Sequence, residues 1–409
     1  MALPTQTATA SPTPLASAPP EWVSDPAWKL PSWAEPVIVA SILFGACYYT
    51  RRRSFAVFGK QSTYKPLLGE DADTGDESSA RFDDEDTDSD YISTIKNPPK
   101  RRSCFGAIIL TPNSSQFQNS WHSRILYKFP FLIEMFYWII TYFIYRLTHI
   151  LSQALFSDEI WDLAQANAFR VLMIEQFSAF SFFFPVQEIT VQKWFLSGHP
   201  ELLTVLNKAY ALIHIPGTVY FMAWYYYAAP NHAIFAVTRR TMTLCNLLAF
   251  VIFTAYPCMP PRLLPKEFGF IDTVRRDDAE SVWMSGKFVN HLAAMPSMHF
   301  GYAFIIGVTC MNHAGAFRWM GCGYDNRSPR LWKWALCLFG AFYPLSVLTI
   351  IVATANHYWL DVVAAIFTAS ISLFCNRIFM VFVPLEDLLL WVLKVEKPKP
   401  NCGPAARRS

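Results

Sequence analysis

The chain has 409 residues, of which 53% are hydrophobic and only 16% are charged, against roughly 25% charged residues in an average soluble domain. This composition argues against an ordinary cytosolic enzyme and for a protein that crosses a membrane several times. A formal net charge of +3 is too small to indicate a nucleic-acid partner. Nine scattered cysteines are typical of neither a disulfide framework nor a zinc site.

The N-terminal part divides into three segments of different character. Residues 1–32 are rich in Ala, Pro, Ser and Thr, which predicts a disordered N-terminus without a cleaved signal peptide. Residues 33–53 are predicted to form a transmembrane helix that ends at three arginines. Residues 54–128 are predicted to form an acidic, disordered cytoplasmic loop, because 70–90 holds 11 acidic residues and one basic residue.

Residues 129–385 are predicted to form a membrane-embedded catalytic core, and 386–409 a cytoplasmic tail. The apolar runs in the core are long enough to cross a bilayer as helices. We therefore predict an all-α polytopic membrane protein with a six-helix core and one additional N-terminal transmembrane helix. The core spans are predicted at about 129–148, 207–229, 240–257, 298–315, 334–354 and 360–382.

The stretch 160–200 mixes polar and aromatic residues and is predicted to be an amphipathic helix, or a pair, lying in the membrane interface. Its apolar run Phe180–Pro185 could instead dip into the bilayer. Basic residues accumulate in cytoplasmic loops, and seven crossings place every basic group on that side. The groups are Arg51 to Arg53, Lys100 to Arg102, Arg239 with Arg240, the residues Arg318, Arg327, Arg330 and Lys333, and the tail from Lys394 to Arg408.

Two short motifs carry residues suited to catalysis. A Pro-Ser-Met-His sequence ends at His299, and a His-Tyr-Trp-Leu-Asp sequence runs from His357 to Asp361. The histidines are 58 residues apart and the chain between them holds two predicted spans, so both imidazoles should lie at the same membrane surface. Positions i and i+4 share a helical face, so Asp361 can fix the tautomer of His357. The bland alternative is a polar pair that only caps a helix.

The same surface should carry groups that bind an anion. Arg262 presents a planar fork that suits phosphate oxygens, and Lys266 adds a second positive charge. Ser297 can cap its helix or donate to the anion, and the helix N-termini near both histidines favour negative charge. This combination suits phosphoryl transfer. Arg262 could equally be an anchor to lipid headgroups.

Tyr210 and His214 are further candidates for substrate binding. An ionisable residue inside a span indicates function by default, although a packed neutral imidazole is at least as compatible with the sequence. Two histidines and a carboxylate also occur in non-haem metal sites. We predict no metal and no cofactor, because no additional ligands accompany them.

These motifs resemble the type 2 phosphatidic acid phosphatase superfamily, whose second motif is Pro-Ser-x-His and whose third ends in His-x-x-x-Asp. The fungal inositolphosphotransferases, which include inositol phosphorylceramide synthase, are the most similar branch. The features shared with that branch are Glu175, Glu188 and Gln192, the pair Tyr210 and His214, and the Pro-Pro-Arg sequence that ends at Arg262.

The resemblance implies that His357 attacks phosphorus to form a phosphohistidine, that Asp361 orients it, and that His299 protonates the leaving alkoxide. Water or an alcohol then accepts the phosphoryl group. The superfamily's first-motif lysine is absent here, and Ile350 and Ile351 replace the Ser-Arg that begins its third motif. A transferase or a phosphodiester substrate is compatible with this loss, and so is an inactive relative.

We therefore expect a metal-independent phosphotransferase or lipid phosphatase that acts on a phospholipid or sphingolipid. Its active site is expected on the lumenal face of the Golgi or ER membrane. The alternatives are a catalytically inactive relative and a seven-span receptor or scaffold. The sequence leaves the oligomeric state open.

Overall fold

The computed structural model describes residues 33–58, 98–104, 107–155, 160–177, 179–273, 292–318 and 329–404. This part of the chain is mostly helical, with few strands, which confirms the helical class. The segments 1–32 and 59–97, for which we predict disorder, lie outside the described residues.

One antiparallel hairpin and thirteen helices form the described chain, joined by short 3₁₀ turns. The strands are β1 (Lys100–Cys104) and β2 (Ala107–Thr111). The first helices are α1 (Ala34–Tyr49), α2 (Trp121–Lys128), α3 (Phe131–Leu155), α4 (Ile160–Phe177), α5 (Phe180–Phe183), α6 (Glu188–Gly198), α7 (Pro200–Leu212) and α8 (Thr218–Ala228). The others are α9 (His232–Ala255), α10 (Met298–Ala314), α11 (Arg330–Ala353), α12 (Trp359–Cys375) and α13 (Val383–Val392).

Three described helical segments are long and apolar enough to cross a membrane, namely His232–Ala255, Arg330–Ala353 and Trp359–Val392. The bent pair of Ile160–Phe177 with Phe180–Gly198 would make a fourth if it is one span. Helix α1 and the apolar part of α3 are shorter. The seven crossings therefore stay a prediction, supported in part.

The predicted span 207–229 is divided into three pieces. Helix α7 passes into a π-helical turn, Ile213–Gly217, which leads into α8. Pro216 lies inside this turn, and proline has no backbone N–H to continue an α-helical ladder. The turn carries His214, and π-helical turns often mark functional sites.

Described basic groups from distant parts of the chain meet at one end of the helices. The Arg52 guanidinium donates to the carbonyls of Tyr127 and Lys399, at 2.9 and 2.6 Å. Asn401 donates to the carbonyl of Thr50 at 2.8 Å. Helix α9 starts near this end, where His232 contacts Glu134 at 3.0 Å. Just beyond its other end, Cys258 hydrogen-bonds to the backbone of Ala294, whose carbonyl contacts His357. The arrangement agrees with a shared side for the basic groups.

The expected disordered loop 54–128 is too long at its C-terminal end. The hairpin and α2 fall within it, and Arg102 of β1 pairs with Asp387 of α13 through contacts of 2.8 and 3.3 Å. Thr111 also donates to Asp387, at 2.9 Å. This end of the segment is basic rather than acidic, so it binds the carboxylate of a helix that follows the core.

The expected tail 386–409 also begins too early. Helix α13 extends to Val392, and the chain beyond it packs on the bundle. Gly403 donates its N–H to the carbonyl of Tyr226 at 3.1 Å and has a positive φ of 62°. A Cβ atom at this position would collide with the carbonyl oxygen of Ala229. Glycine is therefore required where the tail contacts the core.

Within the stretch 160–200, helices α4, α5 and α6 carry polar side chains of both kinds, exposed at Asp162, Arg170 and Lys193 and buried at other positions. Their location in the membrane interface stays a prediction. Glu175, Glu188 and Gln192 are buried against the protein, whereas Phe177 and Phe182 are among its most exposed side chains. Aromatic side chains that point away from the bundle are expected to meet lipid. The buried polar groups are therefore available to the site described next.

Candidate active site

His357 is held through one ring nitrogen at the end of the connection between α11 and α12. Its Nδ1 lies 2.8 Å from the carbonyl oxygen of Ala294 and 3.2 Å from Oδ2 of Asp361. Both contacts that the described chain makes to the ring use Nδ1, so Nε2 is left for a reacting atom. The side chain is 6% exposed and that of Asp361 is fully buried.

The contact between His357 and Asp361 has a different origin from the one expected. Helix α12 begins at Trp359, so His357 precedes the helix and does not share its face. Asp361 instead turns back over the N-terminus, where Oδ2 also accepts the N–H of Tyr358 at 2.9 Å. The shared helical face was the wrong reason, because Tyr358 is the extended N-cap residue.

His299 lies in the first turn of α10, and its ring centroid is 5.9 Å from that of His357. The ring of Tyr210 stacks on that of His299 at a centroid distance of 4.1 Å. His214 adds a third imidazole, 4.3 Å from His299. The fold thus brings both substrate-binding candidates against the second motif.

Two nitrogens of this cluster are buried without a hydrogen-bond partner among the described residues, Nε2 of His299 and Nδ1 of His214. Buried polar atoms in proteins are nearly always hydrogen-bonded, so such atoms call for an explanation. A substrate that supplies donors or acceptors between the rings would satisfy them.

The predicted anion-binding groups are placed differently from one another. Arg262 Nη1 contacts both carboxylate oxygens of Asp272, at 3.1 and 3.0 Å, so part of its charge is already paired. Lys266 is exposed, in the 3₁₀ turn Lys266–Phe268. Ser297 caps α10 by accepting the N–H of Phe300 at 3.4 Å. Phosphate binding by Arg262, Lys266 and Ser297 stays a prediction.

The loop that carries Arg262 is attached to the helices by amide side chains. Gln192 donates to the carbonyl of Ile271 at 2.8 Å and accepts its N–H at 3.1 Å. The hydroxyl of Thr273 donates to Asn207 at 3.2 Å. Three residues of this loop attachment were not predicted from the sequence, namely Asn207, Asp272 and Thr273. Their only signal in the sequence is that a polar residue stands within an apolar or loop segment.

The expected anion site at the start of α12 is already occupied by protein. Its first backbone N–H groups donate to carboxylates of Asp361, Glu188 and Glu175. A free helix N-terminus attracts an anion through such groups, so the expectation is wrong for α12. These three N–H groups are therefore not free to bind an incoming phosphate.

The backbone before His357 contains a left-handed residue. Ala355 has a φ of 52°, a conformation that costs a non-glycine residue about 1–2 kcal/mol. Its carbonyl accepts the N–H of Arg262 at 2.9 Å. The strained turn thus connects the third motif to the loop with the basic residues.

Cys258 is a buried thiol close to these acidic groups. Burial raises its pKa, and the negative charges of Asp361 and Glu175 raise the pKa further. The thiol is therefore protonated at neutral pH, which leaves His357 as the better nucleophile. Among the described residues, no group of three or more His, Cys, Asp or Glu side chains is arranged to hold a metal ion.

The family model of the PAP2 superfamily matches residues 180–325 and 313–375. This match supports the PAP2 superfamily. The matched ranges contain both motif histidines and Asp361. Similarity to the PAP2 superfamily is compatible with phosphatase or phosphotransferase activity on membrane lipids. No curated protein and no solved structure matches the chain.

Proposed function

We propose that the chain transfers the phosphoryl group of a membrane lipid through a phosphohistidine at His357. The observation that carries this proposal is the arrangement around that ring. Nδ1 contacts Asp361 and the Ala294 carbonyl, so Nε2 can face a substrate. The ring centroids of His299 and His357 are 5.9 Å apart. This geometry suits one imidazole as nucleophile and the other as acid and base.

The reaction has two balanced steps. In the first, the Nε2 lone pair of His357 forms a bond to phosphorus while the bond to the leaving oxygen breaks. His299 gives its proton to that alkoxide. In the second, a hydroxyl oxygen attacks phosphorus, its proton passes to His299, and the phosphorus–nitrogen bond breaks. Asp361 stabilises the positive imidazole ring in both steps, and neither step uses a metal ion.

The charges around the rings favour a phosphodiester over a phosphomonoester. Ile350 and Ile351 are buried at the end of α11 where the superfamily has Ser-Arg, and Arg262 is paired with Asp272. The site offers little unpaired positive charge to a dianionic phosphomonoester, whereas a monoanionic diester needs less. We therefore favour transfer of inositol phosphate from phosphatidylinositol to the hydroxyl of ceramide, as in the fungal inositolphosphotransferases. Hydrolysis of phosphatidic acid is the second candidate.

Turnover of these lipids by the purified protein tests the function. Fluorescent ceramide with phosphatidylinositol, and phosphatidic acid in a parallel assay, should distinguish transfer from hydrolysis. His357→Ala should abolish turnover, whereas His122→Ala, on the exposed part of α2, should leave it unchanged. Full activity of His357→Ala would overturn the mechanism. A folded wild-type protein that turns over neither lipid would favour an inactive relative or a receptor.

We place the site on the lumenal face of the Golgi or ER membrane, because the basic groups favour the cytoplasm. Glycosylation tags inserted at about residue 280 should be modified in cells, and tags inserted at about residue 80 should not. The reverse pattern would show that the site faces the cytoplasm.

A further inference from the structure

Two glutamates outside both motifs contact the helix that follows His357. Glu188 Oε1, from the first residue of α6, accepts the N–H of Trp359 at 3.0 Å. Glu175 Oε1, near the end of α4, accepts the N–H of Leu360 at 2.7 Å. With Asp361 on the N–H of Tyr358, three carboxylates bind three successive N–H groups.

These contacts are interior ones. Glu175 and Glu188 are 6% and 3% exposed. Charged groups are rarely buried so deeply without partners, and each hydrogen bond to a charged group contributes more than a neutral one. They connect α12 to helices 171 and 185 positions earlier in the chain. The first turn of α12 is therefore held from outside its own sequence.

The tryptophan of this turn adds two more contacts from the same side. Its indole N–H donates to the carbonyl of Val186 at 2.9 Å. Its rings stack on Phe184 at a centroid distance of 5.7 Å. Together with Glu188, these contacts hold Trp359 on the segment that joins α5 to α6.

The contact of Glu175 with α12 runs through one carboxylate oxygen. Its Oε1 accepts the N–H of Leu360, whereas its Oε2 is buried and meets no donor among the described residues.

We propose that Glu175 and Glu188 are positioning residues that hold His357 in its reactive orientation. The inference rests on the proposed function and adds two residues to its machinery. Fixing Trp359 and Leu360 fixes the turn that contains Asp361, and Asp361 fixes Nδ1 of the imidazole. Neither glutamate contacts the reacting atoms.

Glutamine and alanine variants of the two glutamates separate this role from a loss of folding. Glutamine keeps an oxygen that can accept the backbone N–H and is nearly the same size as glutamate. Glu175→Gln and Glu188→Gln should therefore keep kcat within about threefold. Glu175→Ala and Glu188→Ala should lower kcat about 100-fold, the effect of misplacing a reacting group by about 1 Å. KM should change little, because substrate contacts are unaltered.

Glu201→Ala, on the exposed surface of α7, is the matched control and should retain wild-type kcat. Each kcat refers to protein that elutes as a single folded species. If an alanine variant does not fold, Glu175→Asp and Glu188→Asp withdraw the carboxyl by one methylene and should show the same loss. Unchanged kcat in the alanine or aspartate variants would overturn the proposal. Glutamine variants as impaired as the alanine variants would overturn positioning through the accepted N–H groups.

Hydrogen exchange measures the same contacts without any substrate. The amides of Trp359 and Leu360 should exchange faster in the alanine variants than in the glutamine variants or the wild type. If the wild type turns over no lipid, the proposed function fails, and exchange still decides whether the glutamates hold this turn. Equal exchange in all variants would overturn the positioning role.

Discussion

Replacing Asp361 by asparagine tests how the tautomer of His357 is maintained. The carboxylate accepts two N–H groups, from Tyr358 at 2.9 Å and from the imidazole at 3.2 Å. An asparagine side-chain oxygen can still accept both, but it carries no charge. The carbonyl of Ala294, 2.8 Å from Nδ1, also remains. Asp361→Asn should therefore remove charge stabilisation and leave the ring orientation largely in place.

The size of the effect follows from the charge and from the second acceptor. At 3.2 Å and an effective dielectric constant of about 20, a carboxylate and an imidazolium attract each other by about 5 kcal/mol. Much of this offsets desolvation, and hydrogen bonds to charged groups contribute about 1.5–3 kcal/mol net. That range corresponds to about a 10- to 150-fold loss in kcat. Loss of the correct tautomer in a catalytic triad costs about 10⁴-fold.

The assay compares kcat of Asp361→Asn with that of the wild type on the lipid that the wild type turns over. Asp162→Asn, on the exposed side of α4, controls for the substitution itself. A loss near 10⁴-fold would show that the Ala294 carbonyl does not maintain the tautomer. Unchanged kcat would show that the Asp361 charge takes no part in the reaction.

Two further predictions concern stability. Glu134→Gln removes the charge that pairs with Arg239, whose Nη1 lies 2.5 Å from its carboxylate, and the buried cation left behind should cost about 3–5 kcal/mol. Thermal unfolding in detergent should show a lower midpoint, and an unchanged midpoint would contradict a buried ion pair. Gly340→Val should destabilise the protein by about 1–3 kcal/mol, because a Cβ there would lie 2.6 Å from the Gly307 carbonyl oxygen. Gly45→Val is the matched control, since nothing lies within 4 Å of its Cβ position. Equal midpoints for the two glycine variants would contradict the close contact of α10 and α11.

The two motifs were predictable because their spacing and residue types are local properties. The separation of His299 and His357 by two spans places both at one end, and the structure brings their rings within 5.9 Å. The contact of Asp361 with His357 was not predictable from a shared helical face, because α12 begins only at Trp359, two residues after His357. His357 itself follows the left-handed turn at Ala355.

The burial of individual polar residues between 160 and 200 was not predictable from the sequence, for a physical reason. Periodicity shows that polar and aromatic residues occupy different faces, but it does not show which face meets lipid. Glu175 and Gln192 are buried against the protein, whereas Phe177 and the polar residue Asp162 are exposed. Only packing against α12 and the 260–273 loop identifies the partners of these buried groups.

Composition and apolar run lengths by themselves predicted a helical protein that crosses a membrane, since backbone groups in lipid must be satisfied within a helix. The motifs determined which side chains are suited to phosphoryl transfer. Tertiary structure alone decided that the N–H groups of α12 are bound by protein carboxylates, and that Arg262 is paired with Asp272. Such contacts join residues far apart in the chain, and no local pattern records which distant carboxylate will meet a given donor.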